Sequence, residues 1–184
     1  MIGPRLEGAG VRLRGWQEAD LPALSVLRSD VGLQAMLMSR ARPNPVSRVR
    51  EWLEERTAQA DMLLLVIADR DNDAVLGYMQ AAALDRSHGH CELGICLSPA
   101  AHGRGFATEA LELLYVHLRD HYGLRKICLR VRCDNARAIA FYHREGYVEV
   151  GRLEGHYHED EACIDVVLME RLLPGATLVS VPPA

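Results

Sequence analysis

"HGRGFATEA", residues 102–110, places two glycines around an arginine and then begins a run of good helix formers. Glycine admits backbone turns closed to other residues, and the first turn of a helix leaves its N–H groups without partners. Just upstream, "HCELGICLS" (His90–Ser98) reads as a buried strand ended by Pro99. Strand, glycine turn and helix start follow one another without a gap, so the N–H groups of Gly103, Arg104, Gly105, Phe106, Ala107 and Thr108 can converge, with the helix dipole adding partial positive charge. The natural guest of such a turn is an anion, a diphosphate above all. A plain tight turn between strand and helix would carry the same letters, so the rest of the chain has to decide between the two.

Downstream, Ala107, Ala110, Leu111, Leu114 and Leu118 keep helical spacing to about Tyr122, where Gly123 stops the helix. Upstream, "MLLLVIAD" (Met62–Asp69) and "VLGYMQAAAL" (Val75–Leu84) are apolar runs joined by a turn-rich link, which predicts a hairpin. "VRLRGW" (Val11–Trp16) alternates as a strand, and helices are predicted over Asp20–Leu27, with Pro22 in the first turn, and over Val31–Met38. "RARPNP" breaks the pattern before a helix that runs to about Gln59, with Ser47 as N-cap and Val49, Trp52 and Leu53 on its apolar face. After Gly123 come a strand at Lys126–Val131, a helix capped by Asp134 and stopped by Gly146, and strands in "YVEVGRL" and "ACIDVVLMERL". These elements form one domain over residues 1–173, followed by a loosely attached proline-rich tail, 174–184, in which "TLVSV" could add an edge strand.

The whole-chain figures agree with one cytosolic domain. The chain has 184 residues, 49% of them hydrophobic, which suffices for a single core. With 21 basic against 25 acidic residues and a net charge of −4, it lacks the footprint of a nucleic-acid binder. No apolar run approaches the roughly 20 residues of a membrane span and the first residues carry no signal pattern, so a cytoplasmic location is expected. Cys91, Cys96, Cys128, Cys133 and Cys163 form no C-x-x-C pair, so they read as reduced, mostly buried small apolar residues.

In "DNARAIAFYHREGY", Asn135, Ala138, Ile139 and Tyr142 stand at i, i+3, i+4 and i+7, which puts an amide and a phenol on one helix face, two turns apart. One can hold a ligand's amide while the other handles a proton; a half-buried core tyrosine is the plainer reading of Tyr142. Together, "ELGICLSPAAHGRGFATEAL" and "NARAIAFYHREGY" resemble the acetyl-CoA pyrophosphate motif and the following helix motif of the GNAT superfamily of acyl-CoA N-acyltransferases. The resemblance is strongest to the branch of ribosomal-protein N-terminal, polyamine and amino-sugar acetyltransferases, and it covers Val11–Leu172. It implies an α/β fold with a mixed, mostly antiparallel twisted sheet flanked by helices. The strands at Glu92–Leu97 and Lys126–Val131 would be parallel and splay to admit a pantetheine arm.

The resemblance makes Gly103, Gly105 and Ala107 pyrophosphate-loop positions, gives Asn135 a contact to the cofactor arm, and makes Tyr142 the general acid at the departing thiolate. It implies direct transfer of acetyl from acetyl-CoA to an amine, a small molecule or a peptide, with no metal, no nucleic acid and no membrane involved; a homodimer is common in the branch. His102 departs from the Arg or Gln usual there. An alkylammonium must lose a proton before it can attack a thioester, and Glu92 is the candidate base, directly or through water, unless it is a salt-bridged strand carboxylate. Backbone N–H groups at Ile95, Cys96 and Leu97 are candidates to hold the oxyanion.

Two other readings compete. Arg130 and Arg132 could meet the ribose phosphate of NADP in an oxidoreductase, although Thr108 stands where the third glycine would be. A module that binds CoA without transfer is the other, and Tyr142 weakens it. His156 and His158 with Glu159, Asp160, Glu161 and Asp165 could make a metal or cation site, but a polar hairpin tip explains the same letters. The acceptor could be a polyamine, a protein N-terminus, an amino sugar or an aminoglycoside.

Overall fold

Alternating apolar residues in the central strands bury both faces of one sheet between two layers of helices. The computed structural model describes residues 3–39 and 42–176. Its strands are β1 (Leu6–Glu7), β2 (Val11–Arg14), β3 (Leu63–Asp69), β4 (Val75–Asp85), β5 (His90–Leu97), β6 (Lys126–Arg132), β7 (Val148–Glu159) and β8 (Ala162–Leu172). They lie in the order β1-β2-β3-β4-β5-β6-β8-β7, antiparallel throughout except for the parallel pair β5 and β6. The helices are α1 (Leu21–Ser29), α2 (Val31–Met36), α3 (Val46–Ala58), α4 (Phe106–Tyr122) and α5 (Ala136–Arg144).

Leu65, Ile67, Met79, Leu93, Leu129 and Met169 point to the face covered by α4 and α5, where Leu111, Leu114, Leu118 and Tyr142 meet them. Leu64, Val66, Tyr78 and Cys96 point to the other face, under Leu24 and Leu27 of α1 and Val49 and Leu53 of α3. Period two in the strands and period 3.6 in the helices thus meet in two cores.

The hairpin of β3 and β4, the run of α4 to a left-handed Gly123 and the mixed sheet follow the sequence reading. Two caps differ from it. Helix α3 starts at Val46 behind Pro45, and Ser47 lies inside its first turn. The buried Asn44 explains this, because its side-chain amide donates to the carbonyls of Arg28 and Arg42 and so fixes the chain just before the helix. Helix α5 is capped by Asn135, whose Oδ1 accepts from the N–H of Ala138, 3.2 Å away. Asp134, the expected cap, instead takes a two-pronged bond from the buried Arg132, at 2.9 and 2.7 Å; a charge-assisted pair outcompetes a neutral cap. Of the five cysteines, Cys91 and Cys96 are buried, Cys128 and Cys133 half-buried and Cys163 exposed. The segment "TLVSV" (177–181) lies outside the described residues.

Candidate active site

The parallel ladder between β5 and β6 has three rungs, His90–Lys126, Cys91–Ile127 and Glu92–Cys128, and then stops. Beyond it β5 still pairs with β4 as far as Leu97, and β6 still pairs with β8 as far as Arg132, so the two central strands part. The expected splay is present, and it begins at Glu92 rather than running alongside paired strands from Glu92 to Leu97. The N–H of Ser98 donates to the carbonyl of Leu76 at 2.8 Å. Antiparallel bonding alternates, so Cys96 also turns its backbone to β4, whereas Ile95 and Leu97 turn theirs into the gap. Of the three candidate oxyanion donors, Ile95 and Leu97 face the gap and Cys96 does not.

At the mouth of the gap a short 3-10 turn (Pro99–Ala101) leads through His102 to the glycines. Gly103 and Gly105 have φ of +73° and +80°, and a Cβ at either would meet no atom within 4 Å. Gly105 is the N-cap of α4 and offers no side chain to the N–H groups behind it. The first acidic residue of the helix, Glu109, is turned away and accepts from the N–H of Gly10 at 2.9 and 3.1 Å. The cradle of N–H groups at Phe106, Ala107 and Thr108 is therefore left for an anion. Arg104 lies over the Phe106 ring, 4.6 Å from its centre. Burial, with the Arg137 guanidinium nearby, holds the His102 imidazole below its ordinary value.

Asn135 caps α5 from just outside the helix, and Tyr142 lies two turns further on, on its buried face. Tyr142 is 8% exposed, and its ring meets Tyr147 edge-on at 5.4 Å. Burial drives its hydroxyl well above the usual phenol range, so it holds its proton at neutral pH, as an acid must. The Asn135 carbonyl is spent on the helix cap, which leaves its NH2 for any ligand. The sequence did not reveal a brace between the two helices: the Thr108 hydroxyl donates to Glu145 at 2.6 Å and ties the start of α4 to the end of α5.

Glu92, on the last rung, faces the opposite side of the sheet from Cys91 and Leu93. Arg130 holds its Oε1 through Nε and Nη2 at 2.9 and 2.8 Å, so the salt-bridged reading is correct as geometry. Both bonds go to the same oxygen, so Oε2 takes no bond from Arg130, and Glu92 lines a cavity of about 340 Å³ with Cys128, Arg130, Val150 and Leu168. Arg132, 3% exposed, holds Asp134, Glu159 at 2.7 Å and the carbonyl of Ala35 in α2. With both arginines engaged, neither is free for a ribose phosphate, and the NADP reading loses its residues. His156 and His158 sit on the exposed β7–β8 hairpin, and among the described residues no three His, Cys, Asp or Glu side chains gather into a metal group. No helix among the described residues is long and apolar enough to cross a membrane.

The fold recurs in known proteins. The chain is 20% identical to a spermidine N-acetyltransferase from Vibrio cholerae solved with CoA and spermine, with a TM-score of 0.82 over 90% of this chain and 97% of that one. RimJ of Mycobacterium smegmatis, solved with CoA-disulfide, is 23% identical with a TM-score of 0.80 over 95% and 90%. In sequence, an N-alpha-acetyltransferase of Saccharolobus solfataricus is 36% identical over 70 residues, which is 38% of this chain and about two fifths (40%) of that protein. The family model described as the acetyltransferase (GNAT) domain matches residues 11–148, which reach from the first long strand past Tyr142 and take in the splay, the glycine cradle and α5. By that match and by its fold, the chain belongs to the GNAT acetyltransferase family.

Proposed function

We propose that the protein transfers acetyl from acetyl-CoA directly to a primary amine, with both substrates bound at once. The observation that carries this reading is the uncapped N-terminus of α4 at the mouth of a gap into which β5 turns the backbone of Ile95 and Leu97, past the end of its ladder with β6. In this reading the N–H groups of Gly103 to Thr108 hold the pyrophosphate, and the NH2 of Asn135 meets the pantetheine arm. Glu92 Oε2 accepts a proton from the ammonium, directly or through a water, and the freed lone pair attacks the thioester carbon. The oxyanion that forms draws hydrogen bonds from the gap-facing N–H groups; as it collapses the C–S bond breaks, Tyr142 gives its proton to the departing thiolate and is reprotonated from solvent, and the attacking nitrogen loses its second proton to water as the amide forms. His102 packs beside the cradle as a neutral ring, which fits a loop that binds phosphate through backbone.

The acceptor is a small-molecule or peptide amine entering from the cavity beside Glu92. A soluble, cytoplasmic, homodimeric enzyme completes the proposal.

The test is mass-detected acetyl transfer from acetyl-CoA to spermidine, an aminoglycoside, a UDP-amino sugar and peptides beginning with Ala, Ser or Met. Transfer to one class is expected, and Tyr142→Phe should slow it about 10²- to 10⁴-fold while acetyl-CoA still binds. Failure of acetyl-CoA to bind, with no transfer to any amine, would remove the proposal, and an unaffected Tyr142→Phe would remove Tyr142 from it.

A further inference from the structure

A second groove, of about 640 Å³, runs between β1 and α4, with Leu6, Glu7, Glu112, Val116, His117 and His121 in its walls. It lies away from the acetyl-transfer site, since His117 stands about 18 Å along α4 from Gly105. His117 is 7% exposed, yet neither of its ring nitrogens has a hydrogen-bond partner among the described residues. A buried imidazole with two idle nitrogens needs an explanation, because burial strips its water and nothing replaces it. One turn further on, the His121 ring is centred 4.4 Å from that of His117, with the planes 33° apart.

Imidazoles sharing one ion at metal–nitrogen bonds of about 2.0–2.1 Å have ring centres roughly 5 Å apart, close to the separation of this pair. The i, i+4 spacing on a rigid helix holds the two rings together before any ion arrives. The carboxylate of Glu112 on the wall favours a cation, whereas Glu7 is already neutralised by Arg5, Arg12 and Arg70. We propose that His117 and His121 form a two-histidine site for a divalent transition-metal ion of the imidazole-preferring class, Zn²⁺, Ni²⁺ or Cu²⁺, with water in the remaining positions. Such an ion would clamp the C-terminal half of α4 and take no part in acetyl transfer.

The test uses the untagged full chain, stripped with a chelator and titrated calorimetrically with Zn²⁺ and Ni²⁺, with the Cu²⁺ form read by electron paramagnetic resonance. One ion per chain is expected, with two nitrogen ligands in the Cu²⁺ spectrum. His121 is exposed, so His121→Ala should fold normally and weaken binding about tenfold or more, as losing one tooth of a chelate requires. His88→Ala, at an exposed histidine of the β4–β5 turn, should bind as the parent does. No binding by the parent, or a His121→Ala chain that loses less than about tenfold, would overturn the site. None of these readouts depends on acetyl-transfer activity, so the two proposals fail separately.

Discussion

Cys91 and Cys96 sit on opposite faces of β5, each under a different helical layer, and burial pushes their thiols up to about 12 and about 11. A thiol kept protonated is a poor nucleophile. With a thiol reagent near neutral pH, the exposed Cys163 should react first, and Cys91 and Cys96 should stay silent until the chain unfolds. The same shifts set an alkaline limit. The unfolded thiols give up protons near their ordinary value of 9 and the folded ones do not, so stability is full below that pH and declines as pH climbs toward about 11 or 12. Urea midpoints measured on either side of that window check the sign. At this scale the sequence told which residue types gather but not which partner each would take. Asp134 and Asn135 are both good caps, and only the arrival of Arg132 from β6 decides between them.

Two glycines on neighbouring elements should fail in different ways. At Gly77 in β4 an added Cβ would collide with the carbonyl oxygen of Cys96 and lie 2.9 Å from the Cα of Leu97, so β5 would have to move beside the gap. Gly77→Ala should cost about 1–3 kcal/mol in denaturant unfolding and lower kcat as well. At Gly105 there is room, but φ is +80° and the new methyl would stand in the cradle. Gly105→Ala should cost about 1–2 kcal/mol from backbone strain and show chiefly as a raised KM for acetyl-CoA. Helix α4 was legible because its periodicity is sustained over many residues, and the hairpin because two apolar runs flank a turn-rich link. Strand β1, with two residues, has no period to read. The alternation that aims Ile95 and Leu97 into the gap depends on which residue of β4 opposes them, and a single strand does not contain that information.

Arg132 spans more of the molecule than any motif suggested. From the end of β6 its guanidinium holds α2 through Ala35, the tip of the β7–β8 hairpin through Glu159 and the lead into α5 through Asp134, and it lies 5.2 Å from the centre of the Tyr157 ring. Arg132→Met should lose about 1–3 kcal/mol, because the half-exposed carboxylates it leaves can turn to water. It should also raise KM for the acceptor more than KM for acetyl-CoA, since α2 and the hairpin would drift while the cradle on α4 stays put; steady-state kinetics with each substrate varied separates the two. In the sequence Arg132 looked like half of a nucleotide-phosphate pair, because only the folded chain brings Ala35 and Glu159 to it. The abrupt end of the β5–β6 ladder has a mechanical meaning too. Strands β1 to β5 and strands β6 to β8 are two rafts that share three rungs, and α4 lies across both as a strap. A molecule that fills the gap with its own donors and acceptors stands in for the missing length of ladder, so acetyl-CoA bound as proposed would be, for the time of one turnover, a structural member of the sheet.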